Sequence, residues 1–172
     1  MAIFANGRFV ANDAWRLLGP DEAIAPDGPI LVPLARFLAE RETIIARGKP
    51  FGVVADAGED VELLAPDIAA ISRVVLNFPR YTDGRAYSSA RLLRERHGYT
   101  GELCAAGDVL HDQIPLMLRC GFDSFDVKHE PTIRALAEGR VRGVSVHYQT
   151  AAREGAEAVP NPRRHWLRAS VA

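Results

Sequence analysis

Val74-Val-Leu-Asn-Phe-Pro-Arg-Tyr-Thr-Asp-Gly-Arg85 carries the reading that decides the fold of this chain. A short apolar run enters a polar loop, and Ala86, Ala90, Leu93 and His97 then recur at helical spacing until Gly98 ends the pattern. The unit repeats at once. Glu102 to Ala105 reads as a strand, Gly107-Asp-Val-Leu-His-Asp112 as a loop, and Ile114 to Cys120 as a helix. Pro115 would break the interior of that helix, so its start is set at Asp112 or Gln113. A short apolar run, a polar loop and an amphipathic helix in succession make a βα unit.

The same rhythm extends in both directions. Upstream, Ile30-Leu-Val32 and Phe51 to Ala55 read as strands. Between them Pro33 opens a helix carrying Leu34, Phe37, Leu38, Arg41 and Ile45 on one face, ended before Gly48. Asp60 caps a further helix that Pro66 makes irregular. Downstream, Ser124 to Val127 is a strand, Pro131 to Ala137 a helix and Val144 to Tyr148 a last strand. At the start, Asn6-Gly7 between apolar flanks predicts a type I′ hairpin. Gly19 to Pro29 reads as a connector. The expected fold is α/β: one domain over residues 1–148, with a mainly parallel open sheet or partial barrel, flanking helices and an N-terminal β-hairpin. Crossovers of this kind are expected to cover both faces of the sheet. Residues 149–172 read as a flexible tail, whose Arg163-Arg-His-Trp-Leu-Arg168 cluster could serve as a docking peptide.

Composition narrows the function classes. A formal net charge of −1 gives no whole-molecule attraction to nucleic acid or to an anionic membrane. No apolar run reaches the roughly 20 residues that span a bilayer. The N-terminus lacks the pattern of a secretory signal, so the expected location is cytoplasmic. The 2 cysteines, Cys104 and Cys120, form no CxxC pair and read as packed, free thiols. Dinucleotide and phosphate-loop glycine fingerprints are both missing, as is any zinc pattern. His97, His129, His147 and His165 share no metal-ligand spacing. No metal and no cofactor are therefore implied.

In a parallel α/β sheet the loops leaving the strand C-termini share one face, and ligands bind there. That gathers Arg80, Asp83, Arg85, Tyr87, Ser88, Asp108, His111, Asp112 and Gln113 as candidates. Arg80 and Arg85 beside a helix N-terminus suit a small oxyanion, with Asp83 as its N-cap. Tyr87 and Ser88 fall in the first turn of that helix. Asp108 and His111 are the candidate acid–base pair, with Asp112 and Gln113 as further ligand contacts.

Thr82-Asp-Gly-Arg-Ala-Tyr-Ser-Ser-Ala-Arg-Leu-Leu-Arg94, Gly107-Asp-Val-Leu-His-Asp-Gln113 and Arg119-Cys-Gly-Phe-Asp-Ser-Phe125 together resemble a bacterial family of unknown function, the family numbered 934. Its members carry the label of a probable oxidoreductase of sulfite reduction. The resemblance implies a cytoplasmic accessory protein of assimilatory sulfite or sulfate reduction. Sulfite reductase or other sulfate-assimilation enzymes are then the expected partners. Two alternatives stand beside it: a small α/β isomerase or lyase acting on an anionic metabolite, and a true flavin or nicotinamide oxidoreductase.

Overall fold

Asn6 and Gly7 hold positive φ angles of 51° and 76°, and the turn they make folds β1 (Ala2–Ala5) back on β2 (Arg8–Val10). The expected hairpin is therefore present. These residues belong to a computed structural model that describes residues 2–140 and residue 152. The expected strand at 144–148 and the tail at 149–172 lie outside the described residues, apart from residue 152.

Among the described residues eight strands form one sheet, in the order β2-β1-β8-β7-β6-β5-β4-β3. Strands β3 (Arg16–Leu17), β4 (Ile30–Pro33), β5 (Phe51–Ala55), β6 (Arg73–Phe78), β7 (Glu102–Gly107) and β8 (Ser124–Val127) run parallel in chain order. The hairpin joins antiparallel through β1 against β8. Helices α1 (Leu34–Ala46), α2 (Arg85–Arg91, continued by a π turn over Leu92–Arg96), α3 (Ile114–Arg119) and α4 (Glu130–Ala137) fill the connections. A 3₁₀ helix, Val61–Asp67, stands where Pro66 removes a helical donor, and the Asp60 carboxylate caps it by accepting the Glu62 amide at 3.0 Å.

Two local expectations shift. Leu38 is exposed and Ile44 is buried, two turns on from Phe37 and so on the same face; the helix is also kinked at Glu40 (φ −116°, ψ 22°). Pro33 ends β4 and caps α1 rather than opening it.

A larger difference concerns the layers. Strands that follow one another in space as they do in sequence place every right-handed crossover on the same side. Accordingly Val32, Val53, Val74, Leu76, Leu103 and Phe125 pack with Phe37, Leu64, Ala90 and Met117 from the helical segments into one core. The opposite face carries no described helix, which corrects the expectation of cover on both sides. It holds a small cluster of Ile3, Leu31, Val75 and Cys104, with Trp15 and Val54 against it. In a flat sheet Ile3 on β1 and Leu17 on β3 would stand about 29 Å apart, six strand spacings of about 4.8 Å. Both line one cleft, so the sheet curls into a half-barrel with the helices outside.

Candidate functional site

Alternation along the strands writes the concave face. Register sets Gly52, Arg73 and Glu102 abreast in one row and Val54, Val75, Cys104 and Ser124 abreast in the next. Asn77 stands beside Ala106, and Ile3 beside Asp126, toward the C-terminal ends of the parallel strands. The face thus has a polar row at each end and an apolar middle.

At the N-terminal end of the strands, Arg73 is tied down on three sides. Its Nε donates to Glu102 Oε2 and its Nη1 to Asp13 Oδ2, both at 2.8 Å. Its guanidinium carbon lies 4.8 Å from the centre of the Trp15 ring. Ser124 Oγ donates to the remaining Glu102 oxygen at 2.5 Å. This knot holds Trp15 as one wall of a cleft of about 220 Å³, whose other walls include Ile3, Leu31, Val75 and Cys104.

At the C-terminal end the cleft opens past Asn77, Asp126 and Lys128. Asp126 is only 3% exposed, and its Oδ1 has no hydrogen-bond partner. Its Oδ2 faces the Lys128 ammonium across 4.0 Å. Burial pushes the Asp126 carboxyl above the usual range, against the opposing pull of Lys128. Asn77 Nδ2 is committed to Asp56 Oδ1 at 2.8 Å.

A second, shallower cleft runs over the strand ends and shares Asn77 and Lys128 with the first. Gly107, Asp108 and His129 complete its rim. Gly107 has φ 96°, and a Cβ there would lie 2.6 Å from Asn77 Oδ1, so only glycine lets β7 turn this close to β6. The His129 ring is held by Thr132, with Nδ1 and Oγ1 3.0 Å apart.

The two loops singled out in the sequence do meet, but largely through the backbone. Asp108 Oδ2 accepts the Tyr81 amide at 2.9 Å, and Gln113 Nε2 donates to the Tyr81 carbonyl at 2.8 Å. His111 and Asp112 are exposed, and no hydrogen bond joins His111 to Asp108. Arg80 and Ser88 are also exposed. Arg85 is held bidentately by Asp83, with Nη2 to Oδ2 at 2.7 Å and Nε to Oδ1 at 3.0 Å. The Arg85 partnership in turn holds the Asp83 carboxyl down at about 2. Asp83 Oδ1 also accepts the Arg85 amide at 3.2 Å, a local turn contact; the N-cap of α2 is Gly84 rather than the expected Asp83, because the helix begins one residue later. Tyr87 packs edge-on against Phe78, at 5.2 Å between ring centres, and burial pushes its phenol up to about 12.

Of the expected candidates, then, only Asp108 lines a described cleft at the strand ends. Sequence reasoning missed Trp15, Arg73, Asn77, Asp126, Lys128 and His129. A signal existed in Ser124-Phe-Asp-Val-Lys128, where polar and apolar residues alternate as on a strand with one wet face.

The motif loops and the strands behind them fall inside a match to one family model, bacterial protein of unknown function (DUF934), over residues 52–158. The chain belongs to this family. No curated protein matches it. The family match spans β5 to α4 and so takes in Arg73, Asn77, Asp126 and Lys128, whereas Trp15 and Ile3 come from the preceding segment. No described helix is long and apolar enough to cross a membrane. Among the described residues no group of three His, Cys, Asp or Glu side chains is placed to hold a metal ion.

Proposed function

We propose that this chain is an accessory protein of assimilatory sulfite or sulfate reduction that binds an oxyanion or a partner enzyme at the C-terminal face of its parallel strands. The pathway is suggested only by the label that members of the resembled family carry. The observation that carries the binding is Lys128. Its side chain is 68% exposed at the rim of the strand-end cleft, and its ion pair to Asp126 is long, at 4.0 Å. An ammonium so placed attracts an oxyanion as a point charge, and the His129 ring beside it offers a further donor. Arg85, the clamp expected from the sequence, already has its charge matched by Asp83. Asp108 on the facing rim repels an anion, which confines one to the Lys128 and His129 side and keeps its binding sensitive to salt.

The thiols support an accessory role over thiol-based electron transfer. Cys104 and Cys120 are both buried, and burial pushes the Cys104 thiol up to about 12. Such a thiol carries almost no thiolate near neutral pH, and the thiolate is the reactive form.

Calorimetric titration with sulfite and with sulfate tests the oxyanion arm. Lys128→Ala is expected to abolish the heat of binding, whereas Arg85→Ala leaves it in place. A pull-down with sulfite reductase components tests the partner arm. Loss of neither signal in the Lys128 variant, or absence of both from the wild type, would refute this reading.

A further inference from the structure

We propose that the concave cleft of the half-barrel is a second binding site, for a small, flat, uncharged ring compound that donates one hydrogen bond to Asp126 Oδ1. This site does not rest on the oxyanion reading: the two clefts share Asn77 and Lys128, but the contacts argued here are the ring walls and Asp126 Oδ1.

The walls define the ring. Trp15, Leu31, Val75 and Cys104 surround a space of about 220 Å³. An apolar cavity of roughly 150 Å³ already admits benzene, and drug-sized ligands occupy upwards of about 300 Å³. The cleft therefore suits one ring with a substituent. Trp15 does not need to be ordered by the ligand, because the Arg73 guanidinium already lies against its ring. A wall fixed in advance removes part of the entropy lost on binding.

The charges define the rest. Arg73, at one end, is matched by Asp13 and Glu102. Lys128, at the other, faces Asp126. Between these two ends the walls are apolar and offer an ion nothing in return for the water it sheds, so a neutral occupant is favoured. Within it, Asp126 Oδ1 is the unsatisfied atom: buried, an acceptor, and without a partner. A buried acceptor normally has a partner, and one left without it in a residue of the cleft wall marks the place that a ligand donor would satisfy once the side chain turns toward the space.

The test uses phenol and toluene, which match in shape but differ in having a donor. Trp166→Phe supplies the background, leaving Trp15 as the sole indole of a chain with 2 tryptophans. Phenol is expected to shift the Trp15 indole resonance and to bind roughly ten-fold more tightly than toluene, the scale of a hydrogen bond to a carboxylate. Asp126→Leu should erase that preference. The nearly isosteric Asp126→Asn keeps only a neutral acceptor, and should weaken phenol several-fold while leaving toluene unchanged. Equal affinity for the two probes in the parent, a Trp15 signal unmoved by phenol, or full preference retained in a folded Asp126→Asn variant would each overturn the proposal.

Discussion

The Arg73 guanidinium lies over the Trp15 ring while its nitrogens hold Asp13 from the N-terminal segment and Glu102 from the neighbouring strand. One side chain thus fastens the edge of the molecule to the centre of its sheet. With the Arg73 side chain only 7% exposed, removing it strands the 13% exposed Asp13 carboxylate and takes one partner from the better hydrated Glu102. Arg73→Met is expected to cost about 3 kcal/mol in urea denaturation, the range found on breaking buried pairs. Trp15 fluorescence should shift to the red as its wall loosens.

Tyr81 makes a different kind of link, since its amide and its carbonyl are taken up by two residues of another loop. Asp108→Ala removes one of these bonds and is expected to cost about 1 kcal/mol. Hydrogen exchange checks where the loss falls. The Tyr81 amide should exchange faster, whereas the Val75 amide in the sheet should not change.

Asp126 couples stability to pH with a definite sign. A carboxyl whose folded pKa lies above its unfolded value, near 3.9, binds more protons in the folded state between the two values. Stability then falls as pH rises through that window and stays reduced above it. Asp126→Leu should therefore be more stable than the wild type at neutral pH, by about 1 kcal/mol. The gain should shrink as pH drops toward 4 and the wild-type carboxyl takes up its proton. Melting curves across pH 4–8 measure this, and a gain that does not vary with pH would assign the effect to packing alone.

The cysteines give a prediction in cells. If the chain does not itself carry electrons through its thiols, Cys104→Ala/Cys120→Ala should support growth on sulfate in a strain that requires the protein. Loss of growth with a folded double variant would make the thiols functional. In the purified wild type, alkylation of both thiols should be slow until the protein is unfolded, because both are buried.

Strong local chemistry was legible in the sequence. The Asn6-Gly7 turn, the apolar run Val74-Val-Leu76 of β6 and the α3 start set by Pro115 all follow from a few neighbouring residues. Strand β3 did not show, because two exposed residues, Arg16 and Leu17, have neither a period nor an apolar run. The one-sided placement of the helices depends on strand order, which no local pattern encodes. For the site, polarity misled. Loops rich in Arg and Asp looked available for a ligand, yet Asp83 and Arg85 satisfy each other, and Asp108 and Gln113 satisfy Tyr81. Asp126 looked like part of an ordinary buried strand, and its importance lies in a bond it does not make.

The antiparallel join between β1 and β8 imposes an order of events on synthesis. Ile3 leaves the ribosome well before Asp126, its partner in the ladder, with β2 to β7 made between them. Until then the hairpin has no sheet to join, and Ile3 has no cleft to line. The parallel strands can assemble neighbour by neighbour as they emerge, each within reach of the one before. Strand β1 is thus made before the strand it docks on, and the cleft it walls can be completed only after β8 has been synthesised.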